Sequence, residues 1–230
     1  MGNNGYCNPI ARAIITFRDL ETKLGLVKST NPNFFPEWQS ATSQLSDREI
    51  EALNRLSQRY LLYLEESEVS EGTLNIILLS PLLDALGLCD PPYRIRGETW
   101  VEIQTTVDSE EGRISLEGRI DALTIRDNFW LVVIEGKRSG FSVLRAVPQA
   151  LAYMSARPDR NIPIFGLVTN GYDYLFVKLL GNEFALSHNF SLLGDSDRNL
   201  IRVAQILKHL VQYIPVAKDF KTPKPSDQTN

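Results

Sequence analysis

Apolar residues recur at helical spacing along the first part of the chain, and beyond Pro91 the period shortens to alternation. Residues 10–24 carry the helical pattern, and the two prolines of STNPNFFP at 29–36 mark a loop. Ser46 stands where an N-cap belongs, with Asp47 and Glu49 in the first turn and Glu49 at the position a capping box requires. The helix it opens is predicted to run to about Glu66 and to bury Ile50, Leu53, Leu56, Tyr60 and Leu64. A second helix is predicted from Ser70, with Leu74, Ile77, Leu78, Leu82 and Leu86 inward and Gly87 as its stop. Pro81 lies inside it and has no N–H for the preceding turn, which predicts a kink or break near Leu79.

Alternation over 93–107 and 114–125 predicts two strands, separated by the turn DSEEG at 108–112. The run FWLVVIEGK at 129–137 predicts a third, central strand, because its unbroken apolar start leaves no face for solvent. A helix is predicted over 143–156 with Leu144, Val147, Leu151 and Met154 inward. IPIFGLVT and YDYLFVKL then flank Asn170-Gly171, the strongest short hairpin signal in the chain. A last helix is predicted over 197–213. This order describes an α/β fold, a mixed β-sheet flanked by helices on both faces with one right-handed βαβ crossover. No repeat or linker divides it. The organisation read is a partly helical flank at 1–45, one domain at 46–214 and a disordered tail at 215–230.

Bulk properties narrow the function more than the fold. A chain of 230 residues suffices for one α/β domain and is short for two. Its net charge of −4 argues against holding nucleic acid by bulk charge, so a polyanion must meet a local basic patch or bound divalent cations. Cys7 and Cys89 have no metal-ligand spacing, which fits a reduced, cytoplasmic protein without a disulfide framework. The opening residues lack the basic start and apolar stretch of a signal peptide, and the apolar stretch at 74–88 is interrupted and too short for a bilayer. A soluble chain with no membrane partner is expected. With only two histidines, in separate late segments, His-metal nucleases and Ser-His-Asp hydrolases are disfavoured.

Three polar residues break the apolar pattern. Asp121 sits in GRIDALTI, and Glu135 and Lys137 end the third predicted strand two apart, hence on one face. Buried carboxylates need a partner or a metal, and two that converge repel unless a cation lies between them. Mg²⁺ (or Mn²⁺) fits, since it takes one or two carboxylates and keeps waters that a phosphate can share. A lysine beside it can orient a water and stabilise charge on phosphate, so the set suffices for phosphodiester hydrolysis. Hairpin parity supplies a condition. A two-residue turn would point Asp121 away from Glu135, whereas an odd connection, such as one over 127–129, or a bulge brings them to the same side.

The elements GRIDAL, VVIEGKR and a helix bearing Gln149 and Tyr153 in QALAY resemble the PD-(D/E)xK nucleases. The QxxxY helix is similar to that of the RecB-type group, and in particular to the nuclease domain of type I restriction enzyme motor subunits. The resemblance spans about residues 70–180. It implies a restriction-endonuclease-like fold, with Asp121, Glu135, the Gly136 carbonyl and Glu71 at the metal. It further implies Lys137 as the catalytic lysine, with Gln149 and Tyr153 supporting the site or touching the DNA backbone. DNA is the implied partner, with other restriction or repair subunits beside it and a homodimer left open. Two departures stand out: no GxxxxGK[ST] is present, so the motor is absent, and Arg119-Ile120 replaces the proline before Asp121.

Plainer readings stand beside these. A structural hydrogen bond would explain Gln149 and Tyr153 equally well, and Glu71 suits a first helical turn whatever its function. Arg138, Arg145, Arg157, Arg160 and Lys178 follow the site and could form a phosphate-facing patch, or be scattered surface cations. A catalytically inactive module on the same fold, serving nucleic-acid binding or protein assembly, is the alternative function.

Overall fold

The computed structural model describes residues 7–91, 93, 99–105, 114–120, 122–125, 129–133, 142–156, 159–193 and 196–212. The N-terminal elements are β1 (Cys7–Pro9), α1 (Ile10–Ala13), α2 (Phe17–Leu24), β2 (Val27–Lys28) and α3 (Glu37–Ser40). The single helical pattern read over 10–24 is therefore two helices. Thr16 and Asp19 form a reciprocal capping box that starts α2 afresh.

Helix α4 (Asp47–Glu66) begins and ends where its pattern predicts, with the Ser46–Glu49 capping box formed. Ser70 caps the next helix, which runs through α5 (Glu71–Leu74), a π-turn (Asn75–Leu79) and α6 (Ser80–Ala85) to Gly87 at φ 69°. The irregularity expected from Pro81 is this π-turn, in which Ser80 N reaches the carbonyl of Asn75. Arg59 Nη1 donates to Ile77 O at 3.3 Å, the carbonyl that an N–H at position 81 would take in an α-helix.

The strands are β3 (Thr99–Thr105), β4 (Ile114–Ile120), β5 (Ala122–Ile125), β6 (Phe129–Val133), β7 (Ile164–Thr169), β8 (Asp173–Leu180), β9 (Glu183–Leu186) and β10 (Phe190–Ser191). Among the described residues they form a three-stranded sheet, β1-β4-β3, and a seven-stranded sheet ordered β2-β9-β8-β7-β6-β5, with β10 on β8. The one strand expected over 114–125 is thus two: β4 pairs with β1 and β3, and β5 pairs with β6. Alternation continues across both segments and does not mark the change of partner, because it records faces and not neighbours.

The large sheet is mixed. Strands β6 and β7 run parallel, joined by a 3₁₀ turn (Val143–Ala146) and α7 (Val147–Ser155), while β5–β6, β7–β8 and β8–β9 are antiparallel. The parallel pair with its crossover is the expected βαβ unit. Leu144 was expected inward but is 47% exposed, and Val143 and Ala146 are buried in its place. A 3₁₀ turn has three residues per turn, so its inward positions fall three apart.

Two cores cover the two faces of β7 and β8. Phe165, Leu167, Tyr174 and Phe176 meet α4, α6 and α8 (Ser196–Gln212). Ile164, Val168, Leu175, Val177 and Leu179 meet α1, α2 and α7. Residues 7–45, read as a flank, belong to this packing: Ile10, Ile14, Leu20 and Leu26 enter one core, and Phe35 and Ala41 the other. β2 also pairs with β9. Among the described residues no helix is long and apolar enough to cross a membrane. The tail read as disordered lies outside the described residues.

Candidate functional site

In β5 and β6, Ala122 is opposite Val132, Leu123 opposite Leu131, and Ile125 opposite Phe129. Three residues, 126–128, therefore connect the strands, the odd number that hairpin parity required and the segment left between the strands predicted over 114–125 and 129–137. The described backbone comes within one residue of Asp121 at Ala122 and within two of Glu135 at Val133. Asp121, Glu135, Gly136, Lys137 and Arg138 themselves lie outside the described residues, as does Arg157.

Val133 at the carboxyl end of β6 is in register with Thr169 at the carboxyl end of β7. In open α/β sheets ligands sit at such strand ends. The connection that follows Thr169 is four residues, since Thr169 pairs with Tyr174. Asn170 closes it with its side chain, Oδ1 accepting from Tyr172 N at 3.2 Å and Asp173 N at 2.8 Å. Gly171 N donates to Thr169 Oγ1 at 2.9 Å. Two buried tyrosines fix the carbonyls of the turn: Tyr60 Oη donates to Asn170 O at 2.6 Å, and Tyr174 Oη to Gly171 O at 2.7 Å. Burial, with Tyr172 near Tyr60 and Tyr60 near Tyr174, pushes both hydroxyls well above the ordinary tyrosine range, so they remain donors.

Gly171 has φ 95°, and a Cβ there would lie 2.2 Å from the Tyr60 ring and 2.7 Å from Leu74 Cδ1. The turn is therefore pressed against α4 and α5 together. Leu74 shares a helical face with Glu71, three residues earlier in α5, and it is Leu74 that reaches the turn after β7. Glu71 itself is a half-buried carboxylate, an oxygen donor of the kind a hard divalent cation takes.

On α7, Gln149 Nε2 donates to Tyr153 Oη at 3.0 Å, with Tyr153 buried and Gln149 half-buried. Arg145 is exposed on the 3₁₀ turn ahead of it, and Arg160 is exposed and donates to Asn182 Oδ1. Lys178 does not join a phosphate-facing patch. It is 7% exposed, its Nζ 2.5 Å from Glu37 Oε1 and 2.8 Å from Phe34 O, with the Phe34 and Phe165 rings nearby. Every residue of β8 from Tyr174 to Leu179 is buried, so a lysine there needs a partner, and Glu37 supplies it.

Known proteins offer no match. The chain fits no family model, and neither a curated protein nor a solved structure is similar to it. The sequence pattern marks Tyr60 as a core residue and Asn170 and Gly171 as hairpin residues. Their meeting depends on a contact between residues 110 apart, which no local pattern records.

Proposed function

We propose that the chain is a Mg²⁺-dependent deoxyribonuclease with a restriction-endonuclease-like fold. The observation that carries this reading is the three-residue connection between β5 and β6, which meets the parity that a joint site for Asp121 and Glu135 demands. The Gln149–Tyr153 pair on the crossover helix supports it. Asp121, Glu135, the Gly136 carbonyl and Glu71 would hold the ion. When bound, Mg²⁺ supplies positive charge against the scissile phosphate. Lys137 would orient the attacking water, and Arg138 and Arg145 would hold the flanking phosphates.

The test is cleavage of plasmid and single-stranded DNA with Mg²⁺ or Mn²⁺. Glu135→Ala and Lys137→Ala should each lower the rate by about a hundredfold or more. A wild type that cuts nothing, or two variants that cut normally, defeats the reading. A second reading, a binding or assembly module on the same fold, is favoured by the net charge of −4 and by the inward-facing Lys178. On that reading the chain binds DNA or a protein partner, and neither variant changes the binding.

A further inference from the structure

We propose that the groove between α2, β2 and β9 binds a small amphipathic anion, a hydrocarbon with a single carboxylate head. The proposal is independent of the nuclease reading and concerns the β2 end of the large sheet, away from β5 and β6. The groove exists because β2 is short. Its pairing stops at Lys28 opposite Phe184, two residues before Leu186, so the end of β9 has no strand on that side. Helix α2 flanks the opening and stacks Phe17 on Phe184, with ring centroids 5.8 Å apart. Leu144, on the 3₁₀ turn before α7, completes a groove of about 670 Å³. Sites for small molecules commonly measure about 300–1,000 Å³ and have mostly apolar and aromatic walls. Leu26 and Phe184 are buried in its floor, while Phe17, Val27 and Leu144 stand 38%, 42% and 47% exposed at its sides. Apolar side chains gathered around one concavity, unlike scattered ones, mark a binding surface.

The charged rim decides the occupant. Arg18 and Lys28 line the groove, both exposed, with one carboxylate, Glu21. Among the described residues neither cation forms an ion pair. The neighbouring acids are engaged elsewhere: Asp19 bonds Thr16 and Lys23, and Glu183 accepts from Ser29 Oγ at 2.7 Å. The rim therefore carries a local excess of positive charge on a chain whose net charge is −4. A carboxylate answers that excess, since a guanidinium can take both of its oxygens and the Lys28 ammonium can share one. The attached hydrocarbon would lie along Phe184 and Leu186. A cationic head would meet like charge, and a neutral one would leave both cations unanswered.

The experiment is calorimetric titration of the full chain with decanoate, decanol and decylamine, beside sedimentation with phosphatidylglycerol vesicles. Four proteins are compared: wild type, the double variant Arg18→Gln/Lys28→Gln, Leu144→Asp, and Arg48→Gln as a charge control on α4. All four substituted side chains are exposed, so each variant should fold, which thermal melting checks. Decanoate should bind wild type and Arg48→Gln alike, weaken about tenfold in the double variant and be lost in Leu144→Asp. An ion contact at an exposed rim changes affinity only a few-fold, which sets that figure for two of them. Decylamine should not bind, and decanol should bind the double variant as well as it binds wild type. Wild type that binds no decanoate at millimolar concentration overturns the proposal. Decylamine binding as tight as that of decanoate, or a double variant that keeps its decanoate affinity, overturns it because the rim then selects nothing. Decanoate binding that survives Leu144→Asp lies elsewhere on the chain and overturns it too. Binding to the vesicles without binding to free decanoate would make the groove a membrane-facing surface, which also overturns it.

Discussion

On the α4/α8 side of the large sheet, polar side chains reach far along the chain. Tyr60 bonds Asn170, Lys178 bonds Glu37, Lys208 bonds Glu49, and Arg202 donates to the carbonyls of Trp38, Gln39 and Ala41. These partners are 110 to 164 residues apart. On the α1/α2/α7 side the core is chiefly aliphatic, and its polar groups bond close by: Gln149 to Tyr153, Ser155 to Ala152 O, Asp19 to Thr16 and Lys23. A long-range buried bond fixes one element against another at a set position, while an aliphatic interface fixes volume and tolerates repacking. The side that holds the turn after β7 through Tyr60 is the one fixed by position.

Lys178→Met is the harshest test of that contrast. The stem volume survives, but the Glu37 carboxylate is left buried without its cation, at a cost of about 3–5 kcal/mol. Adding Glu37→Leu should recover most of this loss, as read from denaturant midpoints, because replacing both charges removes the unpaired one. A single variant as stable as wild type would mean that this face, too, is held by volume alone. Leu151→Met, in the aliphatic core, should cost under about 1.5 kcal/mol by the same measurement.

Asp19→Ala removes a local cap and should cost about 1 kcal/mol at neutral pH. The bonds from Lys23 and Thr16 hold the Asp19 carboxyl well below the usual carboxylate range. A depressed folded-state pKa contributes its full stability above the unfolded value of about 3.9, and that contribution drains away as the pH falls below it. Wild type and variant should therefore differ at neutral pH and converge in acid. A gap independent of pH would show that the cap acts through its shape and not its charge.

What the chain reveals locally follows the same division. Helix α4, the Ser70 cap, the disturbance at Pro81 and the odd hairpin connection were all legible, because each is decided by residues within a few positions of one another. The Thr16–Asp19 cap was local as well, but it lies inside a continuous helical pattern that conceals the break. β2 could not be read, since its two residues acquire strand geometry only from β9, far along the chain. Lys178 was misread for want of its partner in α3, though a lysine in an otherwise apolar strand signals that a partner must exist. Of the candidate site, Glu71 and the Gln149–Tyr153 pair could be named from motifs. The clamp around Gly171 could not, because it exists only where α4, α5 and β7 converge.

The π-turn at Asn75–Leu79 sets the rotational phase of the helix that carries Glu71. Such a turn amounts to one residue inserted into an α-helix, and one residue is about 100° of rotation. The leucines of α6 are therefore phased independently of the turn that bears Glu71 and Leu74. Deleting a single residue from 75–79 would restore even winding and leave the composition of the core almost intact. It would also turn Glu71 and Leu74 about a quarter of the way around the helix relative to α6, and so take Leu74 off Gly171.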